Sequence, residues 1–449
     1  MHLTRETVVF EVYNPYSIVQ LSEVLRDMRV LRGDRTIYSG RAVVSSIVST
    51  GVILIVSATL VDAWSDLVGI ATGQPLRDEV QRFIHDWDQS HDIRPSYQIA
   101  VGNVSSFLSE VSRWLNQVET ASGPGESPPV QREFTLELES GLDGKLGVLF
   151  GKFEHEASQI PPEEVAWHKA YVRRQVHPLM LVSPFIHRTY TKPLGYAGDY
   201  EMVNMILRDR LEGPSTYARL LNSMILRSDG AQAHRNRVDR LIEYLKAEVH
   251  RVAPEGRTLR VLNIGCGPAG EIQRFIRTEP LADRCEFHLM DFNAETLAYT
   301  QGQIEAASNE SGRRPVVHYI HKSINELLKD AARGAAGREV TPFMSADLVY
   351  CAGLFDYLSD KVCKRLIQLF QTWVAPGGLV AATNVHPRNG VRYFLEHILE
   401  WNLVYRDEKQ MDELAEEDSR KVVNTDPTGV NVFLEIRKPV RQAQDGPAV

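Results

Sequence analysis

Three glycines at the spacing of a ligand-cradling turn, followed one strand later by an aspartate, are the residues most suited to chemistry in this chain. In V-L-N-I-G-C-G-P-A-G, residues 261–270, Gly265, Gly267 and Gly270 form G-x-G-x-x-G between an apolar run and a helix-like stretch. Glycine there permits a tight turn and the close approach of a ligand backbone or sugar. The next apolar run ends in Leu289-Met290-Asp291, where an acid can accept hydrogen bonds from ribose hydroxyls. Helix capping is the structural alternative, which Asn293 serves equally well. The glycine motif is shared by dinucleotide and S-adenosylmethionine (SAM) sites, and a turn without ligand is its plainest alternative. Metal chemistry is not expected. Cys266, Cys285, Cys351 and Cys363 have no C-x-x-C spacing, and His168, His177 and His187 form no short-range ligand pair. Without a His/Cys/Asp constellation, Cys266 and Cys351 read as small packing residues rather than nucleophiles.

The elements that must hold these residues are strands alternating with helices. From Arg260 the strand-like runs are RVLNIG, CEFHLMD, VVHYIHK, ADLVYCA and GLVAATNV. Between them lie helical patterns over Ala269–Arg277, Ala294–Ala307, Ile324–Ala332 and Asp360–Trp373. This alternation predicts a parallel sheet covered by helices on both faces, with ligands at the carboxyl ends of its strands.

The order of the glycine loop, Asp291, the A-D-L-V-Y-C-A-G strand and the V-A-P-G-G turn (residues 374–378) resembles class I SAM-dependent methyltransferases over residues 231–440. The resemblance implies an α/β, Rossmann-like seven-stranded core, closed by an antiparallel last strand matching Val430–Arg437, with SAM as cofactor. It implies that Gly265, Cys266, Gly267 and Gly270 pass under the methionine part and that Asp291 holds the ribose. Phe292 and Ile324 would flank the adenine, Ser323 would meet its amino group, and Cys351 and Gly353 would lie at the methionine end. One departure is Asn263, where the family usually carries Asp or Glu. An amide cannot offer the same charge attraction to the SAM ammonium. Arg235 and Arg237, one helix upstream, could meet the SAM carboxylate or form a solvated face.

Y-T-K-P-L-G-Y-A-G-D-Y-E-M-V-N-M-I (190–206), G-L-F-D-Y-L (353–358), T-N-V-H-P-R-N (383–389) and W-N-L-V-Y-R (401–406) narrow the resemblance. Together they are similar to bacterial methyltransferases of the extracellular-factor type, linked to 3-hydroxy fatty acid methyl esters. That implies O-methylation of a fatty carboxylate or a similar small acid. Such a carboxylate is ionised at pH 7 and needs no general base. It needs alignment with the methyl group and exclusion of water. Tyr196, Asp199 and His386 are the catalytic candidates on this reading. Tyr200, Phe355, Asn384 and Tyr393 are the substrate-binding ones. A SAM-binding regulatory protein is the competing reading that Asn263 keeps open, and an enzyme doing other chemistry on SAM, such as cyclising its aminobutyl chain, is a third.

At 449 residues, with 24% charged and 43% hydrophobic residues, the chain has the composition of an ordinary soluble protein of two or three domains. The net charge of −8 gives no electrostatic case for nucleic acid. Ala42 to Val61 carries no charge and is long enough to span a bilayer. Its serines, Gly51 and β-branched residues instead suggest two strands, Arg41–Val48 and Val52–Leu60, turning at Ser49-Thr50-Gly51. With Thr7–Val12 and Ile37–Val48 they make residues 1–120 a small β-rich module. Trailing helical positions follow at Val80, Phe83, Ile84, Trp87, Phe107, Leu108, Val111 and Leu115. Its hairpin resembles the core of PilZ domains. Ser46 and Val48 stand where that family needs Asp/Asn and Ser, and Arg26, Arg29, Arg32 and Arg35 upstream include no pair at the family's spacing of four. Those departures argue against cyclic di-GMP and for an interaction or homodimerisation module. A Gly/Pro/Ser-rich linker is expected over 121–131, and a helical lid or substrate region over 132–230 with helices at Glu163–Met180, Asp199–Leu211 and Pro214–Leu226. Ala231–His250 forms a further amphipathic helix. The start of the chain lacks a signal-peptide pattern, and four cysteines form no disulfide framework. A cytoplasmic setting is therefore expected.

Overall fold

The structure, a computed structural model, describes residues 2–3, 6–12, 19–32, 35–49, 54–62, 80–81, 84, 92–122, 128–208, 210–334, 345–417 and 419–440. The chain divides into two compact units. Met1–Gly198, Arg208–Ser228 and Gly390–Asn402 form the first; Asp199–Leu207, Asp229–Asn389 and Leu403–Val449 form the second.

The first unit contains β1 (His2–Leu3), β2 (Thr7–Val12), β3 (Val24–Arg32), β4 (Arg35–Ser49) and β5 (Leu54–Leu60) in an antiparallel sheet of order β1-β2-β5-β4-β3. Val8, Val30, Tyr38, Ala42, Ala58 and Leu60 form its core. Within the uncharged stretch, residues 42–49 and 54–60 are strand, and among the described residues no helix is long and apolar enough to cross a membrane. Residues 50–51 of the expected turn, and Phe83 and Trp87, lie outside the described residues. Helices α1 (Pro95–Ser122), α2 (Pro128–Ser158), α3 (Val165–Met180) and α4 (Pro184–Thr191) follow. After an excursion through the second unit (α5, Tyr200–Leu207) comes α6 (Thr216–Leu226). The expected linker is shorter than its composition suggested. Residues 123–127 lie outside the described part, but Pro128 and Pro129 already open α2. The first helical positions tolerate proline because their N–H groups have no intrahelical acceptor.

The second unit holds α7 (Asp229–Val252), β6 (Leu259–Ile264), α8 (Gly270–Thr278), β7 (Cys285–Asp291), α9 (Ala294–Ser311), β8 (Val316–His321) and α10 (Ile324–Gly334). Then come β9 (Ala346–Cys351), α11 (Asp360–Trp373), β10 (Val374–Val385), α12 (Glu408–Asp412), β11 (Lys421–Thr425) and β12 (Asn431–Arg437). The sheet order is β11-β12-β10-β9-β6-β7-β8. β8, β7, β6, β9 and β10 run parallel, while β12 is antiparallel to both β10 and β11. This is the expected α/β, Rossmann-like, seven-stranded architecture. Its strand order reverses between β6 and β9, which opens a crevice at their carboxyl ends. Val261, Leu289, Leu348 and Ala381 of four adjacent strands pack with Leu245, Phe275 and Leu297 of the covering helices.

β10 starts earlier than the sequence indicated and takes in the Pro-Gly-Gly turn, with an irregular register between Val374 and Leu379. A Cβ at Gly378 would stand 2.7 Å from the Asp347 carbonyl oxygen and 2.7 Å from Val374 Cγ2. Gly378→Ala should therefore destabilise the second unit by about 1–3 kcal/mol, read as a lower urea midpoint. An unchanged midpoint would show that this turn relaxes freely.

Candidate functional site

The loop leaving β6 is held in a conformation that ordinary residues avoid. Gly265 and Gly267 have φ of 69° and 52°, and Ala269, a non-glycine, has φ of 50°. Left-handed backbone at a non-glycine costs energy and tends to persist where function needs it. The fixing contacts come from β7. The N–H groups of Gly265 and Cys266 both donate to the Met290 carbonyl, at 2.9 and 3.0 Å. The Gly267 N–H donates to Asp291 Oδ2 at 3.1 Å, and the Asn293 N–H to Oδ1 at 3.0 Å. From α9, the buried Thr300 hydroxyl donates to the Gly267 carbonyl at 2.7 Å. Burial pushes the Asp291 carboxyl up, and the N–H groups of Asn293, Gly267 and Phe292 pull it back. Asp291 thus shapes the glycine loop from the carboxyl end of β7. Asn293, not Asp291, caps α9.

Phe292, Ser323 and Ile324 follow the carboxyl ends of β7 and β8. Phe292 is 46% exposed, a large apolar surface beside a buried acid. Ile324 is buried. The Ser323 hydroxyl donates to Glu326 Oε2 at 2.7 Å and accepts from the Glu326 N–H at 3.3 Å, the reciprocal arrangement of a helix start. Cys266 and Cys351 are both buried with thiols pushed up by burial, a packing environment.

Asn263 does not leave the loop without an acidic group. Glu271, in the first turn of α8, is buried and reaches back to it. Asn263 Nδ2 donates to Glu271 Oε1 at 3.0 Å and to the Tyr350 hydroxyl at 3.0 Å, and that hydroxyl donates to Glu271 Oε1 at 2.7 Å. Burial raises the Glu271 carboxyl, and the Tyr350 hydroxyl lowers it. Facing this group, α7 contributes Arg237, a buried guanidinium. Its hydrogen-bond partner among the described residues is the His234 ring, at 2.7 Å from Nη2 to Nδ1. A Cβ at Gly353, whose φ is 94°, would lie 3.2 Å from Arg237 Nη1. The guanidinium therefore sits at the carboxyl end of β9. Asp356 and Glu271 act on it electrostatically, and the Asp356 carboxyl is pushed up to about 6 by burial. Arg235 instead donates to the Ile206 carbonyl at 3.0 Å. A cation and a carboxylate thus flank the glycine loop, the charge pattern that suits a zwitterionic amino-acid group.

The remaining candidates divide between the units. Tyr196 and Tyr393 belong to the first; Asp199, Tyr200, Phe355, Asn384 and His386 belong to the second. Asp199 caps α5, accepting the Met202 N–H at 2.8 Å. The Tyr200 hydroxyl donates to Glu295 at 3.1 Å, and its ring stacks on Tyr299 at 4.5 Å. Phe355 is completely buried. Asn384 Nδ2 donates to the carbonyls of Val385 and Val404, and its Oδ1 accepts from Arg406. His386 Nδ1 accepts the Arg388 N–H at 2.8 Å, so its proton lies on Nε2, which faces Glu408 at 3.0 Å. Asp199, Asn384 and His386 are braced groups.

Sequence reasoning missed a buried cationic cluster within the first unit. Lys169, Arg173 and Lys192 gather around Glu400, which pairs with Arg173. Lys169 Nζ donates to Asn402 at 3.2 Å, and Lys192 Nζ to the Leu399 carbonyl at 2.9 Å. Burial pulls the Lys192 ammonium down to about 8. Glu400 is a non-glycine with φ of 51°, and Asn402 Nδ2 is buried without a partner. Lys192 lies inside the 190–206 motif quoted above; its burial was the signal that the sequence did not carry.

No protein-family model matches the chain, and no curated protein does. Among solved structures, a "possible exported protein" of Bordetella parapertussis is similar at TM-score 0.45 and 15% identity, covering 70% of this chain and 100% of that one. The magnesium protoporphyrin IX methyltransferase of Synechocystis, with bound S-adenosylhomocysteine, is similar at TM-score 0.36 and 11% identity, covering 60% and 99%. An O-methyltransferase family protein of Burkholderia thailandensis is similar at TM-score 0.34 and 14% identity, covering 70% and 96%. These scores lie below 0.5, so the fold assignment rests on the strand order and not on the likenesses.

Proposed function

We propose that the chain is a SAM-dependent methyltransferase that O-methylates the carboxylate of a 3-hydroxy fatty acid or a similar small acid. The observation that carries the SAM reading is the set of charges around the strained glycine loop. On this reading Asp291 would receive the ribose hydroxyls, Glu271 the ammonium and Arg237 the carboxylate. Phe292 offers an exposed apolar face for a base. SAM, when bound, supplies an electrophilic methyl group. The residues of the chain bind and orient it and keep water out.

The acid-substrate reading is supported by the state of the polar candidates. His386 and Asp199 are committed to neighbours, which agrees with a reaction that needs no general base because its nucleophile is already ionised. On this reading both are positioning groups, and Tyr196 is the lid residue that meets substrate. Residues 132–230 would be the lid region, 231–440 the cofactor core, and 1–120 a dimerisation module.

Calorimetry of the full chain with S-adenosylhomocysteine tests the cofactor site. Arg237→Leu and Glu271→Gln should each weaken binding about 10- to 100-fold, the value of one charge-assisted hydrogen bond. Affinity unchanged in both variants would remove the zwitterion site.

A further inference from the structure

We propose that Glu286, His288 and His318 form a binding site for a borderline divalent transition-metal ion, with zinc as the reference case. Glu286 and His288 lie two apart on β7, so both point to the same face, opposite Phe287 and Leu289 of the core. His318 is the direct register partner of His288 on β8. The three side chains therefore meet on neighbouring hydrogen-bonded strands at the sheet edge, a placement short-range spacing along the chain cannot reveal.

The distances match a metal site without movement of the backbone. Glu286 Oε1 lies 3.2 Å from His288 Nε2 and 3.3 Å from His318 Nε2. The three ligand atoms all lie within 4.8 Å of one another. Ligand bonds of about 2.0–2.1 Å in a tetrahedron place neighbouring ligand atoms about 3.3–3.4 Å apart. Both imidazoles direct Nε2 at the same carboxylate oxygen, and their rings stack at 4.6 Å with 22° between planes. The other oxygen, Oε2, is engaged by Arg260 Nε at 3.3 Å. That contact orients Oε1 toward the imidazoles, as an outer partner orients a ligand.

Two imidazoles and one carboxylate suit zinc, cobalt or nickel better than calcium or magnesium, which prefer all-oxygen sets. The His318 side chain is 48% exposed and that of His288 17%. Ions therefore have access. Binding would clamp the edge strand β8 to β7 and stabilise the folded chain by mass action.

The test uses the untagged full-length protein, stripped with a chelator and titrated with zinc chloride by calorimetry and with cobalt chloride by visible absorption. One ion per chain is expected, with a rise in melting temperature on zinc addition. His288→Ala and His318→Ala should each weaken binding more than the about 10- to 100-fold that loss of an outer partner costs. Arg260→Gln should have a smaller effect. His318→Gln, at an exposed edge position, serves as the second variant if alanine impairs folding. Zinc affinity unchanged in both histidine variants, or no stoichiometric binding by folded wild-type protein, would overturn the proposal. S-adenosylhomocysteine binding should persist in the His318 variants, which separates this site from the cofactor reading.

Discussion

Asp291→Ala should raise the dissociation constant for S-adenosylhomocysteine at least about 100-fold, because two charge-assisted hydrogen bonds are worth about 1.5–3 kcal/mol each. The aspartate has two duties, and alanine removes both. One, on the proposed function, is the reception of ribose hydroxyls. The other is internal: its carboxylate accepts the N–H groups of Gly267 and Asn293 and so ties the left-handed loop to the start of α9. Tyr196→Phe, in the proposed lid, should leave this affinity within about twofold while lowering turnover. Calorimetry on both variants, with circular dichroism as the folding control, checks the pair. Equal loss of affinity in the two would contradict the division of roles.

Arg406→Leu should cost about 3–5 kcal/mol of stability, since it breaks a fully used buried cationic brace. The side chain is 1% exposed. Its five N–H donors are all engaged: Nε and Nη2 with Asp360, Nη1 with the Phe355 carbonyl and Asn384 Oδ1, and Nη2 also with the Leu358 carbonyl. The Asp360 pair alone would contribute little, because that carboxylate is 70% exposed. The cost comes from the Asn384 amide oxygen, which loses its donor, and from the Phe355 and Leu358 carbonyls, which keep only the Leu358 N–H and the weakly donating Cys363 thiol. Lysine has three donors and no fork, so Arg406→Lys should recover less than half of the loss. Urea unfolding followed by circular dichroism measures it. A loss below about 1 kcal/mol would show that water replaces the guanidinium.

The parallel core was legible because its strands are continuous apolar runs closed by glycine or acid, a pattern that burial on both faces imposes. The cofactor loop was legible for a related reason: few residues other than glycine tolerate φ near 60° at Gly265 and Gly267. Partners distant in sequence were not legible. Asn263 reads as a lost charge until α8 returns Glu271 to it through Tyr350. Asn384 and Phe355 sit in substrate-like motifs, yet their packing serves Arg406, which arrives from beyond the π-helical turn Phe394–Ile398. β3 and β11 escaped notice because VLRDMRVLR and KVVNT alternate poorly, their regular form coming from neighbours β4 and β12. Pro128 and Pro129 read as linker because the residue type that breaks a helix interior is accepted at its start.

The central claim is methyl transfer from SAM to a carboxylate. Its most direct test is mass spectrometry of the products formed when the full-length protein is incubated with methyl-labelled SAM and a cell lipid extract supplemented with 3-hydroxy fatty acids. The account predicts a labelled methyl ester together with S-adenosylhomocysteine in equal amount, both absent with Asp291→Ala. Methylthioadenosine in place of the ester, or binding of SAM with no labelled product, would contradict it.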